Sequence, residues 1–298
     1  MNWPLACVRP TEPLCNHTSF RIGGPAEWFA EPETIDELQL VLREAARQGL
    51  PVSIIGGGTN LLVADEGVRG VVIHLGKQFR QVEIISAEAD PIAVVRCGAS
   101  LLTQRLVLLA GQYGWGDLEL LAGLPGQLGG AVMMNAQQIG RFVKQVRLVR
   151  FDGGMMELPQ DQVHFTYRYT AMDPGIVADV LFEFPKIPVQ VASERIQQAL
   201  RYRNTTQDLN LPSAGCAFKN PEGQSAGRLI DQAGLKGARI GDARISLRHA
   251  NFIVNVGQAS CQDVLSLMEH VQRQVEREFG IHLEPEVRLL GARWDARI

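Results

Sequence analysis

The residue types able to do chemistry in this chain fall into three short segments. Two are glycine-rich: Gly56-Gly57-Gly58-Thr59-Asn60-Leu61 and Gly123-Leu124-Pro125-Gly126-Gln127-Leu128-Gly129-Gly130-Ala131. Glycine lets a backbone take positive φ and approach a ligand closely. Two such turns in one α/β region suit an anion cradle, in which main-chain N–H groups face a phosphate; either segment alone is equally a tight turn. The first lacks the last glycine of G-x-G-x-x-G, and G-x-x-x-x-G-K-[ST] does not occur in the sequence. A Rossmann or P-loop protein is therefore disfavoured, but an anion-binding backbone is not. The third segment, Pro212-Ser213-Ala214-Gly215-Cys216-Ala217-Phe218-Lys219-Asn220-Pro221, sets a thiol among small residues and follows it with a lysine and an amide. The small neighbours leave room for a substrate near the sulfur, although an isolated cysteine is more often a buried small hydrophobe. His17, His74, His164, His249, His270 and His282 form no H-E-x-x-H or similar ligand spacing, so no metal site is expected. No G-x-S-x-G elbow supports a serine triad.

The elements that must position these segments read as an α/β start. Thr34 and Glu37 form a capping box for a helix over residues 34–48, with Ile35, Leu38, Val41, Leu42 and Ala45 at helical spacing and Gly49 as its stop. Residues 52–55 read as a short buried strand and 71–75 as another. Residues 81–86 and 92–97 read as a hairpin turning at Asp90-Pro91. Ser100 is expected to cap a helix running to about residue 112. Strands follow at 145–151, 155–158 and 177–183, with Asp152-Gly153-Gly154 as a turn. Pro185 and Pro188 mark a candidate boundary, since neither suits a helix interior or a central strand. Beyond them come a helix from Ser193, a shorter one from Ser225, and the longest from Ser260 to Phe279, stopped by Gly280 and striped by Val264, Met268, Val271 and Val275.

Composition bounds the rest. In 298 residues there are 29 Lys+Arg against 32 Asp+Glu, a formal charge of −3, with 46% apolar and 20% charged residues. That is a globular balance and excludes disorder. It offers no electrostatic reason to expect a nucleic-acid partner. Cys7, Cys15, Cys97, Cys216 and Cys261 include no Cys-x-x-Cys pair, so neither a zinc ribbon nor a disulfide framework is indicated. No stretch reaches the ~18 apolar residues that span a bilayer. The amino-terminal Met1-Asn2-Trp3-Pro4-Leu5-Ala6-Cys7 lacks the basic start and long apolar core of a signal peptide. A soluble, cytoplasmic protein is expected.

Taken in order, several segments resemble one family. They are Asn16-His17-Thr18-Ser19-Phe20-Arg21-Ile22-Gly23-Gly24-Pro25-Ala26, the two glycine segments, Tyr167-Arg168, the Cys216 segment, Ala226-Gly227-Arg228-Leu229-Ile230, and Leu283-Glu284-Pro285-Glu286-Val287-Arg288. Together they are similar to the UDP-N-acetylenolpyruvoylglucosamine reductases, flavoenzymes of bacterial peptidoglycan precursor synthesis. The likeness runs from about residue 15 to 291. It implies an α+β / α/β fold: a two-part FAD-binding domain of the vanillyl-alcohol-oxidase type (residues 1–76 and 77–185) and a carboxy-terminal α+β substrate domain (186–298). It implies noncovalent FAD, NADPH as co-substrate, a UDP-sugar substrate, no membrane or nucleic-acid partner, and a monomer. The implied reaction passes a hydride from NADPH through FAD to the enolpyruvyl double bond, giving UDP-N-acetylmuramate.

Hydride at C3 of an enolpyruvyl ether leaves negative charge at C2, delocalised into the carboxylate, and such charge needs positive groups or proton donors beside it. By resemblance, Arg168 and Glu286 polarise that carboxylate, with Glu286 protonated or sharing a proton. Burial raises a carboxyl's pKa, and Pro285, Val287, Leu289 and Leu290 suggest a dry setting. Cys216 stands where the family commonly has a proton-donating serine. A thiol, with reference pKa ~8.5, is the stronger acid of the two. The resemblance assigns FAD to Gly56, Gly57, Gly58, Thr59, Asn60, Gly123, Pro125, Gly126, Gly129 and Gly130, with Arg21 near the flavin-binding surface. Tyr167, Lys219 and Asn220 are the substrate-binding candidates.

The chain departs from the pattern after Gly-Gly-Ala, reading Met134-Asn135-Ala136-Gln137-Gln138-Ile139-Gly140. The stretch between Arg168 and Cys216 is too short for the tyrosine-bearing loop of one subclass. A loop-less subclass with a more open substrate cleft is expected. Two other readings compete: another FAD oxidase or dehydrogenase of the same superfamily, and a module that binds FAD or UDP-sugar without chemistry.

Overall fold

The computed structural model describes residues 3, 5–206 and 211–292; Met1, Asn2 and Pro4 of the amino-terminal stretch read above lie outside them. Its α-helices are α1 (Ile35–Arg47), α2 (Thr103–Tyr113), α3 (Leu128–Met133), α4 (Val189–Thr206), α5 (Ala226–Gln232) and α6 (Cys261–Phe279). A four-stranded sheet orders Val8–Pro13, Pro25–Ala30, Val68–Ile73 and Val52–Ile54. The chain divides into two compact units. The first comprises Met1–Arg9, Trp28–Gly57 and Gly70–Arg203; the second comprises Pro10–Glu27, Gly58–Arg69 and Asn204–Ile298.

In the first unit, a five-stranded antiparallel sheet runs Val82–Ile84, Ile92–Gly98, Ile176–Pro185, Val143–Val149, Met155–Pro159. Its central strand, Ile176–Pro185, is buried over most of its length, as its run of Ile, Val, Ala and Phe requires. The core adds Leu38, Val41, Leu42 and Ala45 of α1 and Leu106, Val107 and Ala110 of α2. Thr34 caps α1 as its position suggests, accepting from the Glu37 N–H at 3.1 Å. The reciprocal bond is displaced by one residue, because Glu37 accepts from Glu33 rather than Thr34. Gly49 follows α1 at φ +66°.

Three local expectations change. Val52–Ile54 is an edge strand, so Ile54 is 47% exposed rather than buried. Ser100 does not cap a helix: its hydroxyl donates to the Leu75 carbonyl at 2.8 Å, and α2 starts three residues later behind extended Leu102. The helix expected from Ser193 begins at Val189, directly after Pro188, and packs Ile196, Ala199 and Leu200 on the first unit's core.

The second unit is built on a four-stranded antiparallel sheet, Ser213–Cys216, Phe252–Asn255, Ala243–Ile245, Arg239–Ile240. Leu61–Val63 and Arg288–Leu290 pair in parallel as a separate two-stranded sheet. The predicted stripe of α6 is buried (Val264, Met268, Val271 and Val275 are at most 1% exposed), and Ser260 and Asp263 complete a capping box. Gly280 ends the helix at φ +67°. Among the described residues no helix is long and apolar enough to cross a membrane.

Candidate active site

Cys216 ends the strand Ser213–Cys216, and a bulge precedes it. Ser213 pairs with Val254 and Cys216 with Phe252, so three steps on one strand face two on the other. Gly215 absorbs the extra residue at φ +76°. A bulge of this kind re-aims the side chain that follows. Beyond it, residues 217–219 lie between two partners. On one side the Ala217 N–H donates to the Asn251 carbonyl at 2.8 Å, and the Asn251 side chain holds both backbone groups of Phe218, accepting from its N–H at 3.0 Å and donating to its carbonyl at 2.7 Å. On the other side the Glu286 N–H donates to the Ala217 carbonyl and the Lys219 N–H to the Glu284 carbonyl, both at 2.8 Å. This ladder puts Cys216 and Glu286, 70 positions apart in sequence, on adjoining segments.

Glu286 is half-buried, not enclosed as its apolar neighbours suggested. Its carbonyl accepts from Asn60 Nδ2 at 3.3 Å, and the Asn60 carbonyl accepts from the Arg288 N–H at 2.9 Å. The end of the first glycine segment is thus fastened to residues 286–288. Against Cys216 lies a cavity of about 10 Å³, bordered by Phe20, Ala217, Ile253, Met268 and Val287, roughly the room one water needs. A larger one, about 160 Å³, lies in the first unit beside Arg96, Arg147 and Asp179 and touches none of the predicted site residues.

Lys219 and Asn220 already have local partners. Lys219 Nζ donates to Glu284 Oε2 at 2.9 Å, and this bond holds the Glu284 carboxyl below the usual carboxylate range. Asn220 Oδ1 accepts from the first N–H of α5, that of Ala226, at 3.0 Å. Arg21 is exposed at φ +57°.

The glycine segments divide their amides between packing and openness. Among the described residues, no N–H of residues 56–60 donates to a backbone carbonyl. In the second segment the amides of Leu128 and Gly129 are taken by the carbonyls of Leu101 and Ala99, Gly123 donates to Gln104, and Pro125 has no N–H. Gly126, Gln127 and Gly130 keep theirs open. A Cβ on Gly57 would sit 2.8 Å from Gly126 Cα, so the two segments touch backbone to backbone; Gly130 faces open space. Clustered open donors are costly unless water or an acceptor-rich group meets them, so the residues present fit a diphosphate.

Tyr167 and Arg168 form the two-residue tip of a hairpin, with Thr166 paired to Tyr169 and Arg168 at φ +58°. Asn135 Nδ2 donates to the Thr166 carbonyl at 2.9 Å and the Thr170 hydroxyl to the Val132 carbonyl at 2.6 Å. These bonds fix the hairpin to α3, which starts within the second glycine segment, and to Asn135 just beyond it. Tyr167 is 59% exposed, and the Arg168 guanidinium lies 5.5 Å from its ring centre.

This chain is 42% identical over 290 residues to UDP-N-acetylenolpyruvoylglucosamine reductase 2 of Symbiobacterium thermophilum, across 95% of this chain and 92% of that protein. It belongs to the UDP-N-acetylenolpyruvoylglucosamine reductase family. A second reductase of that name, from Moorella thermoacetica, is 41% identical over 95% of this chain and 93% of its own length. Family models match in two stretches: an FAD binding domain over residues 26–158, and the reductase's carboxy-terminal domain over 207–290. The crystal structure of the reductase MurB from Thermus caldophilus superposes with a TM-score of 0.78 at 38% identity, covering 95% of this chain and 98% of that one. The fold accordingly joins an FAD binding domain to the reductase's carboxy-terminal domain. Three residues of this reductase fold escaped sequence reasoning: Asn251, Ser19 and Gln127. The first was detectable, being one amide in the apolar run Ala250-Asn251-Phe252-Ile253-Val254.

Proposed function

We infer that this chain catalyses the NADPH-dependent, FAD-mediated reduction of UDP-N-acetylglucosamine enolpyruvate to UDP-N-acetylmuramate, a step of peptidoglycan precursor synthesis. The observation that carries the reading is the ladder joining Ala217 to Glu286, whose carbonyl is in turn bonded by Asn60. It gathers an acid candidate, a carboxyl group and one glycine segment around a single stretch of chain in a family member. NADPH and a nucleotide-activated sugar as substrates accord with a cytoplasmic enzyme.

The open amides of residues 56–60 and of Gly126, Gln127 and Gly130 would hold the FAD diphosphate. FAD, when bound, supplies the two-electron relay that lets NADPH reduce a carbon–carbon double bond. Arg168 is the candidate for the developing carboxylate charge, since a guanidinium offers a planar pair of donors to a carboxylate. Glu286 shares that charge when it carries a proton. The Cys216 thiol gives its proton to C2, completing the saturated ether, and the thiolate regains a proton from solvent. Lys219 can serve a substrate diphosphate only by exchanging its exposed partner Glu284, a cheap exchange because such surface pairs are worth about 0–1 kcal/mol.

The test separates the half-reactions by anaerobic stopped flow. In Cys216→Ala the FAD-loaded protein is bleached by NADPH at the normal rate, while return of the oxidised-flavin absorbance on adding enolpyruvyl substrate slows by ~100-fold or more. Cys216→Ser restores part of it. Equal rates in both half-reactions for Cys216→Ala overturn the assignment of the acid.

A further inference from the structure

Gln127 stands in the second glycine segment, and three residues behind it determine which way its amide points. Arg9 Nη1 donates to Glu31 Oε2 at 3.0 Å, and His74 Nδ1 lies 3.2 Å from Glu31 Oε1. Burial pushes the Glu31 carboxyl up, but its bonds to Arg9 and His74 outweigh that and hold it below the usual range. An ionised carboxylate only accepts, so His74 Nδ1 carries hydrogen. In the neutral ring Nε2 is then an acceptor, and Gln127 Nε2 approaches it at 3.4 Å. His74 also stacks on Phe29, with centroids 6.3 Å apart, which restricts rotation of the ring. The amide nitrogen of Gln127 is thereby turned to His74 and its oxygen to the first glycine segment, where a Cβ on Gly56 would lie 3.4 Å from Oε1.

We propose that the side chain of Gln127, besides its main-chain amide, contacts the cofactor, offering an acceptor oxygen at the glycine segments, and that His74, Glu31 and Arg9 are its positioning residues. This rests on the reading that those segments hold FAD. An oxygen acceptor suits a hydroxyl or N–H of the dinucleotide, whereas the open main-chain amides suit its phosphate oxygens. Protonation of His74 at Nε2 sets two donors against each other. The Gln127 amide must then reverse and present its NH₂ to Gly56, losing the contact. Among the contacts described, the charged groups facing this imidazole include Glu31 directly and Arg9 behind it, while Gln127 and Phe29 are uncharged. FAD affinity therefore falls as the pH drops through the range in which an imidazole gains charge, between about pH 8 and 5.

The experiment is titration of deflavinated full-length protein with FAD, read by flavin fluorescence, from pH 5.5 to 8. Wild type binds more weakly at the acid end. Gln127→Ala binds two- to tenfold more weakly at pH 8, the loss expected of one ordinary hydrogen bond, and its pH profile is flatter. His74→Phe, which keeps the aromatic stack, is also flatter. Should His74→Phe fail to fold, Gln127→Ala carries the test by itself. A Gln127→Ala protein whose FAD affinity and pH profile match wild type refutes the proposal. Failure of wild type to bind FAD at any pH sinks instead the assignment of the glycine segments.

Discussion

Replacing Asn251 by alanine tests whether the Cys216 segment is held as described. Asn251 is 3% exposed and Phe218, whose backbone it grips, is 1% exposed. The substitution keeps the bond from the Ala217 N–H to the main-chain carbonyl of residue 251 but removes the two side-chain bonds, at 3.0 and 2.7 Å. Water has no access to replace them. Each orphaned buried group costs about 1–3 kcal/mol, so the pair costs about 2–6 kcal/mol. A domain is stable by about 5–15 kcal/mol, so Asn251→Ala still folds. At about 2–4 °C per kcal/mol for a chain of this class, its melting midpoint falls by roughly 4–24 °C. Phe218 is also bridged to Pro285, next to Glu286, so loosening it shifts Cys216 against the carboxyl. The substrate half-reaction therefore slows more than flavin reduction by NADPH, whose reductant needs neither group. Melting by circular dichroism and anaerobic stopped flow read both effects. A midpoint within about 1 °C of wild type together with unchanged half-reactions refutes the reasoning, because two buried backbone groups cannot lose their partners without cost.

Two glycines give a controlled contrast. Gly58 sits at φ +61° with the His17 carbonyl oxygen 2.0 Å from a would-be Cβ, whereas Gly49 sits at φ +66° with nothing within 4 Å. Gly49→Ala should cost only the left-handed strain, about 1–3 kcal/mol, while Gly58→Ala adds a backbone collision and should melt far lower or express insolubly; equal midpoints argue against the close packing. Stability also depends on pH through His249, whose pKa is lowered first by burial and also by nearby Lys236. The unfolded imidazole takes up a proton near pH ~6.5 while the folded one still resists it, so this group's contribution is full above that pH and is lost as the pH falls toward the folded value. The slope of melting midpoint against pH between about 7.5 and 5.5 should flatten in His249→Phe, and an identical slope in both proteins excludes a role for the group.

Local signals were legible where one residue type enforces one geometry. Thr34, Ser260 and Ser225 cap the helices that follow them, and Gly49 and Gly280 end theirs at positive φ. Ser100 failed because a hydroxyl before an apolar run has alternatives: Leu75 offers it a buried carbonyl from 25 positions away, which no local pattern reveals. The glycine segments were legible as places of close backbone approach. Their division of labour was not, since the carbonyls of Ala99 and Leu101 that occupy two of the amides come from a different turn. Proline spacing marked a boundary at residues 185–188 without locating the start of α4, which was expected at Ser193 and lies at Val189; Ser193 Oγ instead donates to the Gly111 carbonyl, 82 positions away, at 3.1 Å.

The segment over residues 16–26 is the clearest case of a motif that works through framework rather than chemistry. Asn16, Arg21 and Pro25 are exposed, and the rest of its side chains are buried or half-buried. Phe20 and Ile22 are each 2% exposed in the second core, and Asn255 Nδ2 donates to the Phe20 carbonyl at 3.2 Å. The Ser19 hydroxyl donates to the Ser213 carbonyl at 2.6 Å, while the Ser19 N–H donates to the Gly58 carbonyl at 3.1 Å. Gly58 has to be glycine because this segment's backbone, at His17 and Thr18, occupies the place of a side chain. One turn of chain thus ties the first glycine segment to the strand that ends in Cys216, and Asn60 ties the same glycine segment to Glu286. A single-domain core could have supplied Cys216 and Glu286 from the carboxy-terminal stretch alone. Residues 10–27 and 58–69 belong to the same compact unit as Cys216 and Glu286, so on the proposed reading part of the candidate cofactor backbone is held in one unit with the candidate acid and carboxyl, the registration that a hydride transfer followed by protonation requires.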